Sequence, residues 1–186
     1  MRRENVQSLR IEIVPKKILR EVASDVLDGD FGDELDVHME GMLQIMKTSR
    51  GVGLAGPQVG DPRRLLVADA GIDSFGAIKM INPVIINKSE EMIITEEGCL
   101  STPGFFIDVE RNSEISVKYR TPNGDEVEES FSQPYSTIIQ HEIDHLNGVT
   151  ILEKASRLKK NMYLKKVSKH RKKIDRALKK MKSLTY

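Results

Sequence analysis

Gln140-His141-Glu142-Ile143-Asp144-His145-Leu146, with Gly148 two residues on, is the most informative stretch of the 186-residue chain. In a helix, residues four apart stack on one face. His141 and His145 can therefore reach one metal ion, while Glu142 faces the same cavity. Metal-assisted hydrolysis asks for that set, because a metal-activated water must lose a proton to a nearby base. The helix is signalled on both sides. Pro134 suits its first turn, Thr137, Ile138, Ile139 and Ile143 offer an apolar flank, and Gly148 suits a left-handed end. Taken alone, the pattern reads equally well as polar decoration on a core helix.

At this length one domain can bury a substantial core. A composition 39% hydrophobic and 31% charged describes a soluble globular protein with a well-solvated surface. No apolar run nears the roughly 20 residues of a membrane span, so no membrane partner is expected. Met1 to Pro15 includes Arg2 and Arg3 but lacks the apolar run of a secretory signal. Cys99 is the only cysteine. That excludes an internal disulfide framework and suits a reducing compartment, so a cytoplasmic location is expected. Charge is divided unevenly along the chain. Lys154 to Tyr186 holds 14 Lys/Arg and one acid, Asp175, a net +13 against −12 for the preceding 153 residues.

The pattern along the chain is α+β. Leu9, Ile11 and Ile13 alternate with polar residues and predict a short strand ending at Pro15. Asp33 is placed to cap a helix running towards Arg50, with Leu35, Met39, Met42, Leu43 and Met46 on its apolar face. Short branched runs predict strands at Leu65–Ala68, Ile78–Ile81, Val84–Ile86 and Met92–Ile94. Ile115, Val117 and Tyr119 alternate, and Pro122-Asn123-Gly124 turns the chain into Val127–Phe131. Helices and strands do not alternate as βαβ units, so mostly antiparallel strands are expected around the central His-Glu-x-x-His helix. A long C-terminal helix follows, with Tyr163, Val167, His170, Ile174, Leu178 and Met181 as a stripe at helical spacing. His170 reads as a surface histidine.

Gly51-Val52-Gly53-Leu54-Ala55-Gly56-Pro57-Gln58-Val59-Gly60 follows a helix rather than a strand. It lacks the dinucleotide and P-loop patterns. Its glycines allow bare backbone to approach a ligand. A catalytic metal usually takes three protein ligands and leaves one position open. Downstream of His145 there is Glu153 but no histidine before His170. The other candidate for the third ligand is Cys99, which could equally be a small buried apolar residue.

Gly51 to Gln58, Glu97-Gly98-Cys99-Leu100-Ser101 and Gln140 to Gly148 together resemble peptide deformylase. That family carries G-x-G-L-A-A-x-Q, E-G-C-L-S and Q-H-E-x-D-H-L-x-G in this order. The resemblance spans roughly Ile11 to Ile151 and implies a catalytic domain over 1–153, with the basic helix of 154–186 as its extension. It implies Cys99, His141 and His145 as ligands of one divalent metal. Fe(II) is favoured by the resemblance, while Zn(II), Ni(II) and Co(II) are compatible. It further implies Glu142 as the acid/base, and Gln58 with the backbone N–H of Leu100 as donors to the developing oxyanion. The backbone at Val52 and Gly53 would bind an N-formyl-methionyl peptide as an added strand. The implied reaction is removal of the N-formyl group from the N-terminal methionine of nascent polypeptides, releasing formate. A monomer is expected, docking on the ribosome through the basic helix.

Glu97, Asp144, Arg111 and Gln140 read as groups behind the ligands: Glu97 to fix a histidine tautomer, Asp144 with Arg111 to brace the helix. Gly56 stands where the family has its second alanine, which is expected to loosen that loop slightly. Gln133 and Ser136 stand where glycine and alanine are expected, and they alter the pocket wall. Two rivals remain at this level. A His-Glu-x-x-His metalloprotease would leave Cys99 and Gln58 without a role. A basic-tailed RNA-binding protein would make the site vestigial.

Overall fold

The computed structural model describes residues 9–72 and 76–182. Arg2, Arg3 and the side chains of Ile174, Leu178 and Met181 lie outside the described residues. The elements are α1 (Asp33–Thr48), β1 (Gly53–Ala55), β2 (Leu65–Ala68), β3 (Ile78–Lys88), β4 (Met92–Gly98), β5 (Phe106–Asn112), β6 (Ile115–Arg120), β7 (Glu126–Phe131), α2 (Tyr135–Leu146), α3 (Ile151–Lys154) and α4 (Arg157–Lys182). Five strands form an antiparallel sheet in the order β1-β2-β3-β6-β7, and β4 pairs with β5 in a second sheet. The chain divides into two compact units, Met1–Ile151 and Leu152–Tyr186.

Alternation along the short strands explains the larger unit. Leu65 and Val67 of β2 join Leu54 and Ile81 in a cluster with Leu35, Met39, Met42, Leu43 and Met46 of α1. Leu66 and Ala68 point the other way, into a cluster with Ala55, Met80, Val117 and the α2 residues Ile138, Ile139, Ile143 and Leu146. The sheet is therefore covered on both faces, and all four β2 residues are fully buried. The methionines of α1 are core, as their spacing predicts.

Several expectations need correction. Leu9–Val14 is not a strand. It is extended, but its backbone is satisfied singly, Glu12 N–H donating to Gln58 O at 2.7 Å and Val14 N–H to Ser101 O at 3.1 Å. Gly32, not Asp33, caps α1, and the helix stops at Thr48 rather than Arg50. The two expected strands at Ile78–Ile81 and Val84–Ile86 are one strand with an irregularity at Asn82, where φ is +52°. The Asn82 amide bonds both the N–H and the C=O of Val26, which holds this left-handed residue in place.

The end of α2 is fastened by its neighbours. Gly148 is left-handed (φ +74°), and a Cβ there would also stand 2.7 Å from Arg20 O. Ala23 N–H donates to Leu146 O at 2.8 Å. Arg64, its side chain 14% exposed, donates to Leu146 O (3.3 Å), Asn147 Oδ1 (3.1 Å) and Pro83 O (3.3 Å). One guanidinium thus ties the last turn of α2 to β3. Arg64→Met should cost about 1.5–3 kcal/mol, the scale of hydrogen bonds made by a charged group. The check is the midpoint of urea denaturation.

Candidate active site

The three predicted metal ligands converge although 46 residues separate the first from the last. Cys99 Sγ lies 3.2 Å from His145 Nε2, and the ligand atoms of Cys99, His141 and His145 all lie within 4.8 Å of one another. The histidines come from one face of α2, with ring centroids 5.0 Å apart. Cys99 comes from the residue just after β4. One sulfur and two imidazole nitrogens gathered at that spacing suit a borderline divalent cation. His145 Nδ1 and Glu142 Oε2 are buried and make no hydrogen bond to protein. The donor set and these two unsatisfied polar atoms fit a metal centre better than a packed core.

Behind the ligands runs an ionic network. Arg111 of β5 grips Glu97 of β4 with two bonds, 2.8 and 3.0 Å, and reaches Asp144 of α2 at 2.6 Å. Glu97 Oε2 in turn accepts from His141 Nδ1 at 2.8 Å. Burial opposes ionisation of Glu97, but the bonds from Arg111 and His141 outweigh it and hold its pKa at about 2. Glu97 therefore accepts, His141 Nδ1 donates, and the other ring nitrogen is left for the metal. Burial favours the neutral imidazole at His145, the form that ligates a metal. Gln140 does something different from its expected role. Its amide donates to Asn112 O (2.9 Å) and Ser136 O (3.0 Å) and accepts from Asn112 N–H, tying α2 to β5 away from the ligands.

Glu142 is 3% exposed, and burial raises its pKa to about 7. A carboxyl near neutrality both accepts and returns a proton at modest cost. Gln58 sits in the 3₁₀ turn Gly56–Val59 and is 1% exposed. Its Oε1 accepts Ala55 N–H at 2.7 Å, which fixes the amide so that Nε2 points to Cys99 Sγ (3.5 Å) and Ser101 Oγ (3.4 Å). Leu100, Val52 and Gly53 line the same cavity, of about 490 Å³, with Gln58, Cys99, His141 and Glu142.

Val52 and Gly53 play unequal parts. The Val52 carbonyl is taken by Asp69 N–H at 2.8 Å, so alternation along an antiparallel strand turns the backbone groups of Gly53 to the open side of β1. Val52 contributes its half-exposed side chain. On the other face, Gly53 shares the parity of Ala55 and faces α2. A Cβ there would collide with the Glu142 carboxylate and stand 2.8 Å from Ile138 Cγ2. The space for a glycine here is thus set by the Glu142 carboxylate. Phe106 and Thr137 were not foreseen in the cavity wall. The Phe106 ring lies against Gly98, whose Cβ would come within 2.6 Å of it. Gln133 bonds both Ser136 Oγ and, at 3.0 Å, Thr137 Oγ1, so the departures at 133 and 136 do reach the wall.

A family model described as polypeptide deformylase matches residues 8–161. A peptide deformylase of Fusobacterium nucleatum subsp. nucleatum is 36% identical over 168 residues, 90% of this chain and 95% of that one. Among solved structures, a peptide deformylase from Legionella pneumophila superposes with a TM-score of 0.80 at 34% identity, covering 90% of this chain and 98% of that one. The Met-Ala-Ser-bound peptide deformylase from Acinetobacter baumannii gives 0.75 at 33% identity, covering 79% and 98%.

Gly53→Ala should displace the Glu142 carboxylate without touching a ligand. Turnover is expected to fall by about 100-fold, the scale of a small misplacement of a catalytic group. Bound metal, measured by elemental analysis of the same preparation, should stay at the wild-type level.

Proposed function

The chain belongs to the polypeptide deformylase family, and on that premise we propose that Cys99, His141 and His145 hold its metal while Glu142, Gln58 and Leu100 perform the proton transfer and charge stabilisation. The enzyme is a metal-dependent hydrolase that removes the N-formyl group from the N-terminal methionine of nascent polypeptides. The observation carrying the assignment is the meeting of Gln58, Cys99, His141 and Glu142, drawn from three distant segments, around one cavity, with His145 completing the cluster of ligand atoms beside it. A metalloprotease reading leaves Cys99 and Gln58 without work.

A divalent cation held by the thiolate and two imidazoles supplies Lewis acidity to the attacking water and the formyl carbonyl. Fe(II) is the cation we assign, with Zn(II), Ni(II) and Co(II) compatible with the same donors. The formyl-methionyl peptide lies along β1 as an added strand, its backbone pairing with Gly53. The Glu142 carboxylate takes a proton from water as the water oxygen adds to the formyl carbon. Negative charge then grows on the former carbonyl oxygen. Gln58 Nε2 and the Leu100 N–H donate to it, and the Ala55 bond to Gln58 Oε1 keeps that donor aimed beforehand. Glu142 passes its proton to the amide nitrogen, the C–N bond breaks, and formate leaves beside a free amine.

No described helix is long and apolar enough to cross a membrane. We place the enzyme in the cytoplasm as a monomer, consistent with one unpaired cysteine. We also assign the basic helix α4 to ribosome docking through phosphate contacts. Lys166, Lys169, His170, Lys172 and Lys173 are all exposed on it.

Two tests separate these roles. Cys99→Ser should lose most bound metal and activity while the fold persists by circular dichroism. Glu142→Gln should keep its metal yet turn over formyl-Met-Ala-Ser about 10²–10⁴-fold more slowly. Full metal occupancy in the first variant, or near-normal turnover in the second, refutes the corresponding role. For docking, Lys166, Lys169, Lys172 and Lys173 changed together to Gln should release the protein from co-sedimenting ribosomes and flatten the salt dependence of binding, leaving hydrolysis of the free peptide intact. Unchanged co-sedimentation refutes docking through α4.

A further inference from the structure

Gly56 is not conformationally special. It opens the 3₁₀ turn that carries Gln58, and its φ lies outside the left-handed range. What requires glycine is space. A Cβ at this position would stand 2.7 Å from Arg63 O and 3.0 Å from Asp61 O. Both are backbone atoms, which cannot swing aside as the end of a side chain can. The loop that was expected to be loosened by glycine is instead closed tightly over it, with Asp61 N–H donating to Gly56 O at 3.0 Å.

The opposing backbone is tied down by Ser24, whose N–H donates to Pro62 O and whose C=O accepts from Arg64 N–H, both at 2.8 Å. Asp61 is held from two directions and is largely buried, its side chain 9% exposed. Its Oδ1 accepts from Arg63 N–H (2.9 Å) and Arg63 Nε (3.0 Å), and its Oδ2 accepts from Arg63 Nη2 (2.7 Å). His38, on the second turn of α1, brings Nε2 within 3.0 Å of Oδ2 in an ion-pair contact. Burial pushes the Asp61 pKa up, but His38 and Arg63 outweigh it and keep the carboxyl well below the usual carboxylate range. The Asp61–Arg63 ion pair thus clasps residues 61–63 together, with His38 of α1 against it on one side, and bare Gly56 seats against their backbone on the other. Two residues further along, Gln58 Nε2 faces Cys99 Sγ at 3.5 Å.

We infer that Gly56 and Asp61 are positioning residues for the oxyanion donor: the Asp61–Arg63–His38 clasp is a backstop that Gly56 contacts directly, and the contact sets the depth at which the Gln58 amide enters the cavity. The inference rests on the donor role assigned above to Gln58. A methyl group at position 56 would push the turn, and Gln58 with it, towards the cavity, while leaving the metal ligands and the peptide-binding edge of β1 in place. It should therefore act on the step in which charge develops rather than on substrate binding.

The test is a double-mutant cycle on the metal-loaded full chain, reading kcat, KM and metal content with formyl-Met-Ala-Ser. Gly56→Ala is expected to lower kcat by about tenfold or more, the penalty scale of a misplaced group, with KM and metal content near wild type. Combined with Gln58→Ala, it should add nothing, because the donor it aims is already gone. Should Gly56→Ala fail to fold, Asp61→Asn takes its place in the same cycle, since it loosens the clasp without adding an atom. Unchanged kcat in the positioning variant overturns the inference. So do losses that multiply in the double variant, and that result would leave the role of Gln58 standing. A Gln58→Ala enzyme with normal turnover would instead remove the donor role itself, and the backstop with it.

Discussion

The Arg111 guanidinium sits 5% exposed between the carboxylates of Glu97 and Asp144, and the placement of Cys99 against the histidine helix depends on it. Burying so many ionisable groups is costly unless each is paired and hydrogen-bonded. Here one cation satisfies two anions, and one of those anions orients His141. The pairing β4–β5 makes a sheet of its own, separate among the described residues from the sheet packed on α2. Apolar packing alone tolerates small slides. Directional bonds from Arg111 and Gln140 do not, so they fix the strand that leads into Cys99 relative to α2. Removing one member of such a set costs about 3–5 kcal/mol, because the remaining charge is stranded.

Three glycines around the site are dictated by neighbours rather than by backbone conformation. Gly53 makes way for the Glu142 carboxylate, Gly56 for the carbonyls of Asp61 and Arg63, and Gly98 for the ring of Phe106. Each lies within two residues of an assigned functional group or next to one. Close approach of this kind lets Cys99, Glu142 and Gln58 share one cavity without long side chains between them. The glycine-rich stretch from Gly51 to Gly60 is therefore a packing device as well as the edge along which we propose the peptide binds.

Legibility in the sequence followed the range of the interaction. The helix α2 and its left-handed exit at Gly148 could be read locally, as could β2 and the hairpin of β6 and β7. The strand β1 could not, since Gly-Leu-Ala has no strand-forming character and pairs only because Leu66–Ala68 lie beside it. The strand β5 hid in the same way, its buried Ile107, Val109 and Arg111 alternating with charges across a run too polar to stand out. The alternation of Leu9 to Ile13 was real but found no partner strand. For the site, His141, Glu142 and His145 declared themselves by spacing. Cys99 could be named only as one candidate third ligand and Gln58 carried no local signal; both were assigned through three ordered motifs, because their meeting is a tertiary event. The Asp61 clasp was invisible: nothing about Gly56 in the sequence says that a carbonyl oxygen occupies the place of its missing side chain.

Glu142 is buried in the cavity wall, with one carboxylate oxygen unsatisfied by protein. Such a group weakens the fold that contains it, and an apolar side chain of similar volume would pack there with less penalty. Selection for stability and selection for chemistry therefore pull in opposite directions at this one position. A lineage that kept the protein but no longer needed the reaction would be free to drift at Glu142 before His141, which Arg111 and Glu97 give a structural reason to persist.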